Sequence, residues 1–462
     1  MKRKNWIASL LLFGCVCLLF VSTTAQVSAL KEQQDETRQV EEATYEGANI
    51  TSEQFKVSKL TDGDSATYSK TSKEATLTIS RQDGIGFLYM VFDRVPETWT
   101  MTCETTKQVW ECGQYGFLHE YVPVEGLPKS LTLTFPEGTV IADVYVFSKG
   151  EIPSWVQTWQ PPCEQADLLL VSSHSDDEQL FFAGVLPYYA GELGYEVQVA
   201  YVVQHFAVGK SQNHVRPHEQ LNGLWTVGVR HYPVMSEFPD LYAESKDRQT
   251  AFNQATDVFE KYGYRYEDFV AYMVENFRRF KPLVVVSHDL DGEYGHGTHV
   301  LCAAAITEAI EASKDETQFV DSAQKYGTFG VEKVYLHLYE ENQIVMDWDV
   351  PLKAFQGKSA FEVTREGFDC HKSQHWTWFY KWIYGKEGKW IEKATDIKKY
   401  SPCKYGLYYS SVGLDEVGGD FFEHVMTYAQ RQQHLLETRG QMQSLAKAKL
   451  WAAIGQFSEY TY

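Results

Sequence analysis

Residues 168–184 read LLLVSSHSDDEQLFFAG, and this stretch decides the fold of the larger part of the chain. Its start is a continuous apolar run, which is typical of a parallel strand that is buried on both faces. Apolar residues return at helical spacing after Glu178, so the polar residues from His174 to Glu178 fall at a strand-to-helix turn. The stretch therefore predicts the first strand and the first helix of an α/β unit.

Strands and helices continue to alternate after this unit. Strand patterns occupy residues 196–203, 229–234, 281–288 and 331–339, and helical patterns occupy residues 216–228, 266–280 and 299–313. This alternation predicts a Rossmann-like α/β domain with a mostly parallel sheet over residues 166–462. The part after about residue 356 is less regular and forms a C-terminal extension, with an aromatic-rich stretch at 371–390.

The residues before this domain have a different pattern. Short β-forming runs at 74–80, 86–92, 130–135 and 140–147 are separated by Gly, Pro and Asp, with no long helical period. They predict an antiparallel β-sandwich over residues 45–148, followed by a Pro- and Trp-rich linker at 149–165. Cys103 and Cys112 are nine residues apart in this region, and in an exported chain they could form a disulfide across a hairpin.

The beginning of the chain predicts export. Residues 1–29 combine a basic start, a long apolar run and small residues that end at Ala29, which is the pattern of a secretory signal peptide. An uncleaved membrane anchor is the alternative. Residues 30–44 are charged and lack apolar periodicity, so they predict a flexible lead-in. No later segment is a continuous apolar run of about 18 residues, so we expect no further membrane span and a secreted or cell-surface protein.

Charge and composition narrow the possible partners. The formal net charge is −20 at pH 7, and such a surface repels nucleic-acid phosphates and anionic lipids. We therefore expect no nucleic-acid partner. Aromatic residues make up 15% of the chain, which in an exported protein favours a carbohydrate ligand. The sequence leaves the oligomeric state open.

Residues 296–300 read HGTHV, the letters that surround the active histidine of subtilisin-like serine proteases. Such an enzyme also needs a carboxylate in a D-T-G or D-S-G context and a nucleophile in a G-T-S context. Neither string occurs in the sequence, and the nearest one, at Gly327–Phe329, has no serine. A histidine without these partners cannot perform acyl transfer, so the protease is the least favoured interpretation.

A metal site is the favoured interpretation of this histidine pair. His174 ends the first predicted strand, and His296 and His299 follow the strand predicted at 281–288. Because the carboxyl ends of parallel strands open on one crevice, we expect these histidines to meet the acids at 176–178 there. Two imidazoles and a carboxylate are a usual ligand set for catalytic zinc, and a further carboxylate can serve as the base. The alternative is that these acids only stabilise a helix N-terminus.

Together these motifs resemble the PIG-L/LmbE family of zinc-dependent N-acetylglucosaminyl de-N-acetylases. That family has [AS]-H-P-D-D-E after its first strand and H-x-x-H at the start of a later helix. Here S-H-S-D-D-E and H-G-T-H occupy the matching places, and the resemblance covers about residues 166–345. Ser175 stands where the family has proline, and H-G-T-H lacks the acid of the family's H-P-D-H. Neither difference removes a ligand, although the second could alter the support of the ligands.

The resemblance implies a role for each residue of the two motifs. One zinc ion per chain would be held by His174, Asp177 and His299. Asp176 would be the general base, and His296 would assist the tetrahedral intermediate.

Further residues match the family less closely. Tyr294 could help to polarise the substrate carbonyl. Arg216 and Glu219 match an R-x-x-E helix start, which implies a structural or substrate-orienting role. Side chains of the aromatic stretch could form a wall on which sugars stack, or they could pack in the interior; they are Trp376, Trp378, Tyr380 and Trp382.

The predicted sandwich has a resemblance of its own. Residues 59–69, KLTDGDSATYS, together with the strand spacing, resemble discoidin-like domains of the coagulation factor 5/8 C-terminal type. That resemblance implies binding of carbohydrate or of a surface, and a structural calcium ion at Asp62–Asp64. A plain Asp-Gly turn is the favoured alternative to the calcium site.

We therefore expect a secreted, zinc-dependent hydrolase that removes an N-acyl group, by the family resemblance an acetyl group. Its substrate would be an N-acetylated amino sugar, a glycan or a cell-wall polymer. The competing hypothesis is a carbohydrate-binding protein that retains a deacetylase fold without catalysis.

Overall fold

The computed structural model describes residues 41–207, 214–240 and 243–458. The predicted signal peptide at 1–29 and most of the predicted lead-in at 30–44 lie outside the described residues.

The N-terminal part is built from two antiparallel sheets. Its strands are β1 (Asn49–Thr51), β2 (Ser69–Lys70), β3 (Ala75–Ser80), β4 (Phe87–Phe92), β5 (Trp99–Thr102), β6 (Val109–Cys112), β7 (His119–Pro123), β8 (Ser130–Phe135) and β9 (Val140–Phe147). One sheet has the strand order β1-β3-β8-β5-β6, and the other has the order β2-β9-β4-β7. This arrangement confirms the predicted antiparallel sandwich.

The alternation of side chains along these strands explains the core of the sandwich. Leu77 of β3 lies opposite Leu133 of β8, and Ile79 lies opposite Leu131, and all four side chains are buried. The threonines between them point to the other face, as the period of two requires. Such cross-strand apolar pairs are the unit that stabilises an antiparallel sheet.

The predicted disulfide between Cys103 and Cys112 is wrong, because both cysteines are free. The register of the β5–β6 hairpin is the reason. Cys112 pairs with Trp99, four residues before Cys103, while the backbone N–H of Cys103 donates to Gln108. Four residues of strand separate the two sites by roughly 13 Å, whereas a disulfide needs Cα atoms within about 4.4–6.8 Å.

The larger part of the chain contains the second set of strands. They are β10 (Leu168–Ser172), β11 (Val197–Ala207), β12 (Val234–Asp240), β13 (Val284–Ser287), β14 (Lys333–His337), β15 (Gln343–Val345), β16 (Gly385–Lys386), β17 (Lys389–Trp390) and β18 (Lys404–Ser410). Seven of them form one sheet in the order β12-β11-β10-β13-β14-β18-β15, and β16 and β17 form a separate hairpin. The first five strands of that order run parallel, and β18 is antiparallel to both neighbours.

Helices cover both faces of this sheet. The α-helices are α1 (Asp177–Leu180), α2 (Arg216–Thr226), α3 (Arg248–Lys261), α4 (Tyr266–Phe280), α5 (Gly297–Ala312), α6 (Val320–Tyr326), α7 (Ala360–Asp369), α8 (Trp378–Tyr384) and α9 (Tyr428–Ser458). A π-helix spans Pro187–Glu192, and 3₁₀-helices span Val57–Lys59, Glu293–Gly295, Lys372–Gln374 and Ala394–Asp396. The sheet and its helices confirm the predicted Rossmann-like fold.

Strand β10 shows why continuous apolar runs form the centre of this sheet. Leu168 and Leu170 belong to a core on one face, and Leu169 and Val171 belong to a core on the other face. Both cores are covered by helices, so every position of the strand is buried and favours an apolar residue. Full burial of one such side chain contributes about 1.5–3 kcal/mol.

The sandwich and the α/β part are in direct contact. The ring of Phe117 stacks on Tyr232 with 4.5 Å between the centroids, and the Tyr232 hydroxyl accepts the backbone N–H of Leu118 at 3.0 Å. Nearby, the buried histidines His119 and His218 share a 2.9 Å hydrogen bond between Nε2 and Nδ1. The boundaries predicted for the two domains and the linker remain predictions.

The turn predicted as a possible calcium site is satisfied by its own hydrogen bonds. Asp62 accepts the backbone N–H of Asp64 and the hydroxyl of Thr67, and Asp64 accepts the N–H of Ala66. This is the hydrogen-bond pattern of an Asp-Gly turn. The calcium ion remains a prediction.

Across the described ranges, no helix combines the length and the apolar character needed to cross a membrane.

Candidate active site

The candidate site lies where the strand order of the sheet reverses. β10 and β13 are neighbours, and the chain continues from β10 to β11 on one side and from β13 to β14 on the other. In such sheets, the crevice at the carboxyl ends of the two central strands is the ligand site. The residues after β10 lead into α1, and the residues after β13 lead into α5, so both predicted motifs open on this crevice.

Three side chains form a compact triangle in the crevice. His174 Nδ1 lies 3.0 Å from Asp177 Oδ2 and 3.2 Å from His299 Nε2, and the latter two atoms are 3.3 Å apart. Ligands at about 2.0–2.1 Å from a tetrahedral zinc ion lie about 3.3 Å from one another. The spacing of these three atoms therefore fits one zinc-sized ion.

Each histidine of the triangle has a carboxylate behind it. His174 Nε2 lies 3.0 Å from Asp240 Oδ1, and His299 Nδ1 lies 2.7 Å from Glu293 Oε2. A carboxylate that accepts the distal N–H of an imidazole fixes the ring and leaves the other nitrogen for a metal. Burial opposes the protonation of His299, but Asp177 and Glu293 together raise its pKa to about 9. Burial raises the pKa of Asp240, but His174 overrides this effect and lowers it to about 2.

Glu293 joins three histidines in the wall of the crevice. Its Oε2 lies 2.8 Å from His288 Nδ1 and 2.7 Å from His299 Nδ1, and its Oε1 lies 2.6 Å from His337 Nδ1. His288 Nε2 accepts the backbone N–H of Ser173, so His288 carries its proton on Nδ1 and donates it to Glu293. Burial raises the pKa of Glu293, but His288 and the other ring donors hold it well below its usual range. Glu293 is therefore a buried carboxylate that orients three rings.

Asp176 has a different side-chain partner from Asp177, although the two residues are adjacent in the chain. It ends the turn before α1 with a φ of 123°, a region that side chains rarely adopt and that is found at functional sites. Its Oδ1 lies 3.3 Å from Nη2 of Arg216, which also donates to the carbonyl of Ser175. Burial raises the pKa of Asp176 to about 6, with Asp177 adding to the rise and Arg216 opposing it.

His296 and Tyr294 lie next to the triangle. The centroid of the His296 ring is 4.8 Å from those of His174 and His299, and Tyr294 is 5.5 Å from His296. Burial and the neighbouring histidines hold the pKa of His296 well below its usual range, so its ring is neutral at pH 7. Gly295, with a φ of 79°, makes the turn between the two residues.

The two residues of the R-x-x-E pattern serve different parts of the structure. Both lie in the first turn of α2. Arg216 reaches Asp176, as described above. Glu219 accepts the backbone N–H of Ser373 at 2.7 Å and its hydroxyl at 2.5 Å, so it holds the Lys372–Gln374 segment against α2.

An aromatic cleft borders the site. It has a volume of about 480 Å³ and is lined by Glu244, Tyr294, Trp376, Thr377, Trp378, Phe379, Lys399 and Tyr400. The side chains of Trp376 and Trp378 are 84% and 47% exposed. The other two members of the predicted aromatic wall pack elsewhere: Trp382 lies against Phe181, and Tyr380 lies against Tyr384.

The structure thus brings together seven of the predicted site residues, namely His174, Asp176, Asp177, Arg216, Tyr294, His296 and His299. It adds Asp240, Glu293, His288 and His337, which sequence analysis did not assign. A signal for two of them was present, because Asp240 is the last residue of β12 and His337 is the last residue of β14. Polar residues at such strand ends face the same crevice.

Comparison with known proteins supports the family resemblance. Residues 169–310 match the family model described as PIG-L: GlcNAc-PI de-N-acetylase. This match confirms the resemblance inferred from the two motifs, whereas the discoidin-like resemblance of the sandwich remains a prediction. No curated protein matches the sequence.

Several solved structures are similar to parts of this chain at low identity. N,N'-diacetylchitobiose deacetylase from Pyrococcus horikoshii is 15% identical with a TM-score of 0.33, over 46% of this chain and 73% of that one. The 4-carboxy-2-hydroxymuconate hydratase GalB from Pseudomonas putida is 19% identical with a TM-score of 0.32, over 54% and 98%. A conserved protein from Thermus thermophilus is 15% identical with a TM-score of 0.31, over 45% and 80%.

Proposed function

We propose that this protein is a secreted, zinc-dependent amide hydrolase that removes the N-acetyl group of an amino sugar within a glycan or a cell-wall polymer. The observation that carries the proposal is the triangle of His174 Nδ1, Asp177 Oδ2 and His299 Nε2, with sides of 3.0–3.3 Å. The family match over residues 169–310 supports the same chemistry.

The metal would be held by His174, Asp177 and His299. When bound there, a zinc ion supplies a Lewis acid for the amide carbonyl and acidifies the attacking water. The donor set of two imidazoles and one carboxylate suits zinc, and it leaves a position open to water and substrate. Asp240 and Glu293 keep the two rings in orientation, because each accepts a distal ring N–H.

Asp176 would move the protons of the reaction. Its carboxylate takes a proton from the attacking water and passes it to the nitrogen of the leaving amine. A base is most effective when its pKa lies near the working pH, and burial brings the pKa of Asp176 to about 6. Arg216 would hold this carboxylate in place through the contact at 3.3 Å.

His296 and Tyr294 would stabilise the oxygen of the former carbonyl as negative charge develops on it. Both side chains can donate a hydrogen bond while they are uncharged. The pKa of Tyr294 is raised well above its usual range by burial and the nearby acids, so its hydroxyl keeps its proton. Donors fixed before the reaction contribute about 2.7–4 kcal/mol each in comparable sites.

The aromatic cleft would bind the sugar rings next to the reacting group. Trp376 and Trp378 present exposed ring faces, and Tyr294 connects this cleft to the triangle, with 5.9 Å between its ring and that of Trp378. Aromatic faces with polar groups beside them, here Glu244 and Lys399, suit a sugar that has both apolar faces and hydroxyl groups. The N-terminal sandwich would bind the polymer or the cell surface and raise the local substrate concentration.

The experiment is a screen for released acetate. The purified protein, loaded with zinc, is incubated with N-acetylglucosamine, its short oligomers, chitin-like and peptidoglycan polymers, and a lipid-linked amino sugar. We expect acetate release from at least one of them, its loss after chelation, and its return with zinc. The His299→Ala variant is the control for the metal site.

The same screen separates the alternatives. A protein that binds these glycans and one zinc ion but releases no acetate from any of them would be the non-catalytic carbohydrate-binding protein. Covalent labelling of the protein by a fluorophosphonate would support the serine-protease interpretation. Secretion is tested separately, by locating the full-length chain in the culture fluid, at the cell surface or within the cell.

A further inference from the structure

Three side chains of types that can bind a metal meet at the opposite edge of the large sheet from the candidate active site. Cys163 precedes β10, Glu196 precedes β11, and His231 precedes β12. Since these strands are parallel, all three residues lie at amino ends, whereas the triangle described above lies at the carboxyl ends. The thiol sulfur, a carboxylate oxygen and a ring nitrogen of this trio all lie within 4.8 Å of one another.

The fold itself places two of these residues. The backbone N–H of Cys163 donates to Oε1 of Gln198 at 2.9 Å, and Nε2 of the same buried side chain donates to the carbonyl of Tyr232 at 3.1 Å. In addition, the N–H of Tyr232 donates to the carbonyl of Gln160 at 2.9 Å. The backbone next to Cys163 and the backbone next to His231 are therefore held together by groups that take no part in the cluster.

His231 is oriented as a metal ligand would be. Its Nδ1 donates to the carbonyl of Pro161 at 2.7 Å, which turns Nε2 toward the carboxylate of Glu196, 2.5 Å away. This distance is a direct hydrogen bond and is shorter than the ~3.3 Å that separates two ligands of one zinc ion, so an ion that binds here must replace the hydrogen bond and move the two atoms apart. Metal-binding histidines commonly donate the other ring N–H to a backbone carbonyl in this way. Cys163 is buried, while the side chain of Glu196 is 56% exposed, so the cluster opens to solvent on one side.

We propose that Cys163, Glu196 and His231 form a second metal site, which binds zinc or another divalent ion that accepts a thiolate ligand. One thiolate, one imidazole and one carboxylate, with the remaining position left to water, make a donor set that zinc accepts. Calcium and magnesium prefer oxygen ligands alone, so the thiol excludes them. The bound ion ties the segment that enters β10 to the starts of β11 and β12, which gives the site a structural role independent of catalysis.

The simplest competing explanation is an ion pair. Glu196 and His231 alone would form one, with Cys163 as a buried neighbour that binds nothing. This explanation predicts no thiolate-dependent metal binding, so a spectroscopic signal from the thiolate separates the two.

Cobalt(II) provides that signal, because thiolate ligation gives a charge-transfer absorption in the near ultraviolet. The triangle of the candidate active site contains no cysteine, so the band reports on the second site alone. The full-length protein is stripped with a chelator, reduced, and titrated with cobalt(II). We expect the band in the wild type and in His299→Ala, and its loss in Cys163→Ser.

Two further variants make the test decisive. Cys302→Ser is the matched control, since Cys302 is buried near the candidate active site, and it should keep the band. Glu196→Gln changes an exposed side chain and should leave the fold intact while weakening cobalt binding by about tenfold or more, as loss of a charged ligand or its support does. This variant decides the question if Cys163→Ser does not fold.

The stoichiometry of bound zinc keeps this proposal separate from the proposed function. Two equivalents are expected in the wild type, and one in each of His299→Ala and Cys163→Ser. If the wild type binds one equivalent of zinc and also gives the cobalt band, the second site is supported and the proposed catalytic site is refuted. The second site is refuted if the wild type gives no band, or if the band survives in Cys163→Ser.

Discussion

Asp176 and Asp177 are adjacent in the chain, yet their replacement by asparagine should have different consequences. Asp177 Oδ2 lies 3.0 Å from His174 Nδ1 and 3.3 Å from His299 Nε2, whereas Asp176 Oδ1 lies 3.3 Å from Nη2 of Arg216. Asparagine keeps the size of each side chain and one acceptor oxygen. It also tolerates the positive φ of residue 176 better than most residues do, so the turn should survive.

The expected magnitudes follow from these two environments. Asp176→Asn cannot accept a proton at neutral pH, so turnover should fall about 10²–10⁴-fold, which corresponds to about 3–5 kcal/mol in the barrier, with zinc content nearly unchanged. Asp177→Asn removes the negative charge from one corner of the triangle. The loss of a supporting carboxylate costs about 10–100-fold in metal affinity, and the loss of a direct ligand should cost at least as much. Activity and zinc content should then fall together.

The assay measures zinc per chain after dialysis and acetate release with and without added zinc, for the wild type and both variants. Excess zinc should restore part of the activity of Asp177→Asn and none of that of Asp176→Asn. Thermal melting of both variants shows whether either change has damaged the fold.

The alternative, in which these acids only stabilise the N-terminus of α1, predicts a different outcome. Each variant would then lose less than about 1 kcal/mol of stability and keep its activity. The assigned roles are wrong if Asp176→Asn turns over normally, or if it loses zinc as completely as Asp177→Asn does.

Three further predictions address the surroundings of the site and the fold. Asp240→Asn removes the carboxylate that orients His174, so zinc affinity should fall about 10–100-fold in competition with a chelator; unchanged affinity would contradict that role. Gly295→Ala would place a Cβ atom 1.9 Å from the carbonyl oxygen of Ser245, so the melting temperature and the zinc content should both drop. A variant with wild-type values of both would show that this turn is not tight. The buried guanidinium of Arg278 donates to five backbone carbonyls. Because an ammonium cannot reach them all, Arg278→Lys should lower the free energy of unfolding, measured in urea, by about 3 kcal/mol or more. A loss below about 1 kcal/mol would refute this account.

The fold of the α/β part could be predicted from sequence because its strands leave a local signature. Residues 168–171 and 284–286 lie in strands that are buried on both faces, so they are continuous apolar runs, which a strand with one exposed face would not need. The signal for the candidate site was equally local, since His174 and Asp177 share one turn. The failure of the Cys103–Cys112 disulfide has the opposite origin. Its geometry depends on the register of a hairpin, which spacing along the chain does not determine.

The supporting carboxylates could not be assigned because a single acid has no motif of its own. Glu293 gains its role only when the fold brings His288 and His337 to its two oxygens, from the ends of two different strands. A rule for finding such residues nevertheless follows from the topology. Asp240 is the last residue of β12, and His337 is the last residue of β14, and both strands belong to the parallel part of the same sheet. His174 and His288 lie just after the ends of β10 and β13. Once a parallel sheet has been predicted, the polar residues at the carboxyl ends of all its strands are therefore candidates for one site, whether or not they belong to a recognised motif.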